Sequence, residues 1–349
     1  MIGIDLFAGA GGMSLGATRA GVNVTIAVES DANAALTYRR NHPGTICHVQ
    51  DVRTFALPIL DRDGEEVIMF GGPPCQGFST SNQRTRTREN PSNWLFREFL
   101  RVVSGVRPEW VVIENVSGML QTEDGLFVAT IEEDLEQLGY TVSHGVLHAA
   151  DFGVPQRRSR LFIVGSIAGT RLELPRSSTN NVVTVWDAIG DLPSLENGSS
   201  VCKLPYRTAP CSPYAAALRA ELDYCCNHLV TRNAAHIVDR YKHVPQGGNW
   251  EDIPADLMAN YKNRSSCHTG IYHRLATKEP SKVIGNFRKN MLIHPLEDRG
   301  LSVREAARLQ SFPDWFTFVG SIGFQQQQVG NAVPPLLAEA VFQAIRQAA

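Results

Sequence analysis

The chain has 349 residues, 43% of them apolar and 19% charged, with 29 Gly, 19 Pro and no long biased tract. These figures exclude a mainly disordered, collagenous or coiled-coil protein and suit two or three domain-sized units. The formal net charge of −2 gives no sign of a polyanionic partner, and no apolar run approaches the roughly 18 residues that a membrane span needs.

Charge is nevertheless unevenly distributed. Residues 80–108 carry six Arg against two Glu, 109–150 carry eight acids and no Lys or Arg, and 200–290 carry 13 Lys and Arg against seven acids. Two basic stretches separated by an acidic one suit a single phosphate-binding cleft, with ordinary surface charge as the alternative. MIGIDLFAGAGG at the N-terminus lacks the basic stretch of a secretory signal. Seven irregularly spaced cysteines (Cys47, Cys75, Cys202, Cys211, Cys225, Cys226, Cys267) point to a reducing compartment with free thiols. No CxxC pair occurs, so no metal is expected.

The first 165 residues alternate strands and helices. Strands are predicted at Ile2–Leu6, Val22–Val28, Val67–Phe70, Trp110–Ile113 and Leu161–Val164, and helical periodicity covers about 14–20, 31–40, 94–105 and 125–138. That alternation predicts a mainly parallel sheet covered on both faces. From 175 to 290 the chain is rich in Pro, Gly, Ser, Asn, Tyr and His with weak periodicity, the signature of a smaller, irregular domain. Ser302 and Glu305 form a capping box opening a helix at 303–310, and Pro334-Pro335 precedes a last helix at about 336–347.

Four segments carry chemistry. Gly9-Ala10-Gly11-Gly12 follows the first strand and brings backbone close to a nucleotide-type ligand, although Ser14 breaks the GxGxxG fingerprint of a dinucleotide site. Glu29, at the end of the second strand, suits both ribose hydroxyls, and Asp51 an adenine amino group. In Gly71-Gly72-Pro73-Pro74-Cys75-Gln76-Gly77-Phe78-Ser79 two prolines fix the backbone before a presented thiol, a nucleophile suited to an electron-poor ring carbon. Cys47 fits instead the usual fate of a cysteine, a small buried hydrophobe. Glu114 ends an apolar strand, where lost solvation favours its neutral, proton-donating form. In Gln156-Arg157-Arg158-Ser159-Arg160, Arg158 and Arg160 share a face if the segment is extended, suiting a ring carbonyl, the catalytic acid or a phosphate. Gln328–Pro335 is predicted to be a turn leading into the last helix, with Asn331 directed at a cofactor if that helix packs back on the first domain.

Together these segments resemble the DNA cytosine-5 methyltransferase family over nearly the whole chain and in the family's motif order: DLFAGAGG (5–12), PPCQGFS (73–79), ENV (114–116), QRRSR (156–160), RGLSVREAARLQSFPDWF (299–316) and QVGNAVPP (328–335). The resemblance implies an α/β fold: a Rossmann-like S-adenosylmethionine-dependent methyltransferase sheet with a smaller, irregular target-recognition domain. Residues 1–180 would form the catalytic and cofactor-binding domain, 181–290 the target-recognition domain and 291–319 a connecting segment, with 320–349 returning to the catalytic domain.

It further implies sequence-specific methylation of carbon 5 of a flipped cytosine in double-stranded DNA through a covalent Cys75 adduct. Glu114, Arg158 and Arg160 would assist. S-adenosyl-L-methionine would be held by Phe7, Ala8, Gly9, Gly11, Gly12, Glu29, Asp51, Pro74, Leu95 and Asn331. Gln76, Ser79, Arg84, Arg86 and Arg88 would contact DNA, with the three arginines on phosphates and a steep salt dependence of binding. A monomer in a prokaryotic or phage cytoplasm is implied, with a separately encoded restriction endonuclease as the associated partner. The alternatives are a tRNA cytosine-5 methyltransferase and a catalytically silent DNA-binding relative; a Rossmann-type oxidoreductase is weakened by Ser14 and the thiol loop.

Overall fold

A computed structural model describes residues 1–56, 58, 60–74, 94–177, 181–201, 203–261, 270–285, 287–289 and 291–349. The chain forms two compact units. The first comprises Met1–Phe152, Arg158–Asn180 and Val333–Ala349; the second comprises Gly153–Arg157 and Asn181–Ala332.

The first unit is built on a seven-stranded sheet of β1 (Ile2–Leu6), β2 (Asn23–Glu29), β3 (Ile46–Val49), β4 (Val67–Gly71), β5 (Trp110–Val116), β6 (Thr141–His148) and β7 (Ser159–Ser166), in the order β3-β2-β1-β4-β5-β7-β6. Strands β1 to β5 run parallel, and β7 runs antiparallel to both β5 and β6. Every residue of β1 and β4 is buried, which is why β4 reads as an unbroken apolar run and β1 as one interrupted only by Asp5.

Helices α1 (Gly12–Arg19), α2 (Ala32–Asn41), α3 (Phe96–Val106) and α4 (Leu126–Gln137) connect the strands. Asp31 caps α2, its Oδ1 accepting from the amides of Asn33 and Ala34 at 2.8 and 2.9 Å. Phe96, Phe99, Leu100 and Val103 on α3, and Phe127, Val128, Ile131 and Leu135 on α4, join the sheet's core. Each such side chain contributes about 1.5–3 kcal/mol on full burial.

In the second unit, α5 (Val185–Ile189), α6 (Pro213–Arg219), α7 (Ala235–Tyr241), α8 (Val303–Leu309) and α9 (Ile322–Asn331) are separated by long irregular stretches. The capping box at Ser302 is present: Glu305 N donates to Ser302 Oγ at 3.0 Å, and Ser302 N donates to Glu305 Oε2 at 2.8 Å. The polar residues around it form a buried ionic scaffold. Arg299 makes a two-pronged pair with Glu305 at 2.9 and 2.7 Å, and Arg308 pairs with Asp314 at 2.6 Å. One expectation is corrected here: Gln328–Asn331 is the last turn of α9, not a loop, with Gln325, Gln326 and Gln328 buried.

The chain then returns to the first unit as α10 (Pro335–Ala348), which lies against α1. Gly16 permits the approach: a Cβ there would lie 2.5 Å from Ala338 Cβ and 2.7 Å from the Pro335 carbonyl oxygen. Phe342 of α10 meets Phe70 of β4 edge-on at 4.8 Å. Among the described residues no helix is long and apolar enough to cross a membrane.

Candidate active site

From the end of β1 the chain turns through Phe7, Ala8, Gly9, Ala10 and Gly11 into α1. Phe7, Gly9 and Gly11 have φ of 61°, 55° and 94°. Gly11 is required twice over, by its left-handed backbone and because a Cβ would lie 2.4 Å from His42 Nε2. The turn is held from β2: Gly9 N donates to Glu29 Oε2 at 2.7 Å, Asp31 N donates to Oε1 at 2.7 Å, and Ala8 N donates to the Val28 carbonyl at 3.0 Å. It is also braced from below. Ser14 Oγ donates to Asp5 Oδ2 at 2.6 Å and lies 2.8 Å from the Tyr38 hydroxyl. The serine that breaks the glycine fingerprint is therefore a buried strut.

Beside this turn, Phe7, Val28, Glu29, Ser30, Gln50, Asp51, Val52, Pro74 and Leu95 line one concavity at the carboxyl edge of the sheet. Of the residues assigned to a cofactor from sequence, Phe7, Glu29, Asp51, Pro74 and Leu95 line it, while Ala8, Gly9, Gly11 and Gly12 build the turn. Asn331 is the exposed last residue of α9, in the second unit. Asp51 pairs with Arg53 at 2.5 Å and accepts from its amide at 2.9 Å; those hydrogen bonds hold the carboxyl down at about 2. Ser30 and Gln50 were missed in the sequence, although each adjoins an acid that was not.

The second group of residues sits at the end of β5. Glu114 is buried, and Arg160 of β7 donates from Nε to its Oε1 at 2.7 Å. The antiparallel register, which sets Arg160 opposite Val116, brings them together. Burial raises the Glu114 pKa; Arg160 and Arg158 oppose this, and burial prevails. Arg158 is 1% exposed. Burial and the charge of Arg160 pull it well below an ordinary guanidinium, with Glu114 opposing. Of the partners considered for Arg158, the acid is thus the one whose field it shares; a side chain so enclosed is not presented to a phosphate. Arg160 is also engaged by the Ser159 carbonyl, through Nη1 at 2.8 Å.

The segment leading to the thiol lies along this strand end. Asn115 Nδ2 donates to the Pro73 carbonyl at 3.3 Å while its Oδ1 accepts from Val116 N at 2.8 Å. A Cβ on Gly72 would lie 2.8 Å from Glu114 Oε2. Asn115 had no role in the sequence reading beyond its motif, since its partner is distant in the chain. Cys75, Gln76, Ser79, Arg84, Arg86 and Arg88 lie outside the described residues. Cys47 is buried. Of the remaining basic motif, Gln156 is a buried cross-link within the second unit. It donates to the Leu309 carbonyl at 3.1 Å and to Gln310 Oε1 at 2.9 Å, and accepts from Ile284 N at 2.8 Å. Arg157 is exposed and pairs with Glu279 at 2.9 Å.

A sheet in this order, with one reversed strand next to its edge and a ligand-sized concavity beside a glycine turn, defines a Rossmann-like methyltransferase fold. The model of the C-5 cytosine-specific DNA methylases matches residues 1–347. The chain is 40% identical over 347 residues to Type II methyltransferase M1.HphI of Haemophilus parahaemolyticus, covering 98% of this chain and 86% of that protein. It is 34% identical over 370 residues to Type II methyltransferase M.DdeI of Desulfomicrobium norvegicum, covering 98% and 88%. A solved Escherichia coli structure, described as a DNA modification methyltransferase encoded within a prophage, superposes with a TM-score of 0.81 at 26% identity, covering 100% of this chain and 99% of that one. The chain belongs to the C-5 cytosine-specific DNA methylase family and is a DNA (cytosine-5)-methyltransferase.

Proposed function

We propose that this enzyme is a sequence-specific modification methyltransferase acting on a cytosine flipped out of double-stranded DNA, with S-adenosyl-L-methionine as donor. The residues of the concavity fit that donor. Phe7 offers an aromatic face for adenine, between the apolar walls of Val28, Val52, Pro74 and Leu95. Glu29 keeps acceptor capacity for ribose hydroxyls, and Asp51 for the adenine amine. Among the described lining residues the charged ones are the acids Glu29 and Asp51, which suit a sulfonium nucleoside better than a pyrophosphate. When bound, S-adenosyl-L-methionine supplies the electrophilic methyl group that carbon 5 receives.

The remaining chemistry belongs to the chain. A cytosine inside a duplex is inaccessible, so it is extruded into the pocket. The Cys75 thiolate adds to carbon 6, forming the carbon–sulfur bond and pushing electron density onto the ring. Glu114 in its protonated form donates to ring nitrogen 3, stabilising the developing charge, while Arg160 holds the acid and the ring carbonyl oxygen and Arg158 acts on the acid. Loss of the carbon 5 proton then breaks the carbon–sulfur bond and returns Cys75. Arg84, Arg86 and Arg88, with Gln76 and Ser79, supply the DNA contacts around the thiol. A separately encoded restriction endonuclease accords with the Type II relatives.

The observation that carries this reading is the buried Glu114, its pKa raised and its place fixed by Arg160, facing the Gly72-Pro73-Pro74 approach to Cys75. Base-resolution methylation mapping of unmethylated plasmid DNA, incubated with the protein and S-adenosyl-L-methionine, tests it. Full modification of one short cytosine context, absent with Cys75→Ser, is expected. Turnover by the serine variant would remove Cys75 from this role, and no modification by the wild type would redirect the search to a tRNA substrate.

A further inference from the structure

We propose that Asp5 is a positioning residue for the cofactor turn, acting as a neutral buried carboxyl that locks the start of α1 against α2 through Ser14 and Tyr38. The inference rests on the reading of the Phe7–Gly12 turn as a cofactor site.

Asp5 is 1% exposed and lies within β1, between Ala27 of β2 and Phe70 of β4. Its Oδ2 takes the Ser14 hydroxyl at 2.6 Å, and the same hydroxyl lies 2.8 Å from Tyr38 on α2. Three elements thus converge on one carboxyl just below Phe7. The titratable groups that face it are Glu29 from β2, Tyr38 from α2 and Cys47 from β3. None of these is a cation. The nearby Arg39 on α2 is turned to the Cys47 carbonyl, to which it donates at 2.6 Å. A carboxylate at this depth without a compensating cation is costly, so the neutral form is the one compatible with the packing. Burial, with Glu29 adding and the Ser14 hydrogen bond opposing, pushes the carboxyl up to about 8.

Ionisation would place an uncompensated charge beneath the turn and disturb the brace that sets it. The consequence is a loss of cofactor affinity on the alkaline side, absent from a variant that cannot ionise. The test is calorimetric titration of the whole protein with S-adenosyl-L-methionine between pH 7 and 9, comparing wild type with Asp5→Asn. The ligand's own α-amino group titrates in the same range but does so against both proteins, so the difference isolates Asp5. Affinities within about twofold at pH 7, with wild type about tenfold weaker than the variant by pH 9, are expected from a pKa near 8.

Parallel profiles would overturn the proposal. So would a wild-type affinity that rises relative to the variant, because attraction of the sulfonium and not geometry would then dominate. Ser14→Ala provides a second test should Asp5→Asn fold poorly: it removes the hydroxyl that joins Asp5 to Tyr38, so cofactor binding should weaken about tenfold already at pH 7, and an affinity equal to that of wild type refutes the proposal. Absence of binding by wild type at every pH would instead remove the cofactor reading itself.

Discussion

Glu114 and Arg160 form a buried ion pair, with Nε and Oε1 2.7 Å apart, in which the carboxyl still has a raised pKa. The guanidinium alone would favour the carboxylate. Burial at the end of β5 outweighs it, leaving an acid that is positioned by its partner and remains able to donate a proton.

Glu114→Gln keeps the shape and removes the acid. Turnover is expected to fall by about 10²–10⁴ while DNA and cofactor still bind. In the wild type the donating form is present below the raised pKa and lost as pH rises through it, so the rate falls on the alkaline side. The glutamine variant should lose that limb. Rates measured against pH with a labelled methyl donor check both statements, and a variant with the wild-type rate and profile would exclude Glu114 as the acid.

Gly72→Ala tests how tightly the acid is seated. The added Cβ would stand 2.8 Å from Glu114 Oε2, so either the carboxyl or the Pro73-Pro74 segment must shift. Lower turnover is expected in either case; cofactor affinity stays nearly unchanged if the carboxyl yields and falls if Pro74, a wall of the concavity, is displaced. Single-turnover kinetics beside calorimetry would separate the two, and an unaffected rate would show that the segment yields freely.

Glu29→Ala removes the acceptor of two backbone amides as well as a wall of the concavity. Cofactor affinity should drop by about 1–3 kcal/mol, roughly five- to 150-fold. Calorimetric titration gives the value directly; an unchanged dissociation constant would dissociate Glu29 from the donor.

Glu305→Ala strips Arg299 of its two-pronged partner and α8 of its capping box. A loss of about 3 kcal/mol is expected, because the buried guanidinium loses two charge-assisted hydrogen bonds and keeps Glu297 as its carboxylate partner, while the helix loses its cap. Although burial alone would raise the Glu305 pKa, Arg299 holds it below the usual carboxylate range. With a folded pKa below the unfolded one, the wild-type contribution is fully present above about pH 4.3 and is lost as pH falls below it. Urea midpoints at neutral and acidic pH measure both effects, and a variant as stable as wild type at pH 7 would contradict the account.

The strands that position the chemistry were legible because they are buried on both faces: β4 and the first four residues of β5 read as continuous apolar runs, and β1 as a run broken only by Asp5. The edge strands were not. In β3 only Cys47 is buried, and β6 buries little beyond Val142 and Leu147 among polar residues, so neither stands out from a loop. The last four residues of α9 were read as part of a turn because Gly330 and Asn331 close the helix, Pro334-Pro335 follow shortly after, and glutamines fill its inner face. Their amide nitrogens are satisfied by hydrogen bonds such as Gln328 to the Val319 carbonyl, which no hydropathy pattern reveals. Glu114 was legible from its place at a strand end, and Arg160 from its spacing. The bond from Asn115 to Pro73 was not, since it exists only because β4 and β5 are neighbours.

The contact of Gly16 with α10 bears on how the molecule comes into being. During synthesis β1 and α1 emerge first, whereas Leu337, Val341, Phe342 and Ile345, all buried in the finished fold, emerge only after the second unit has been made. For most of its time on the ribosome the first unit lacks one of its own walls. Closure must wait for a contact between distant parts of the chain, which favours slow folding and prolonged exposure of apolar surface. The packing of α1 is therefore completed only once α10 has been delivered.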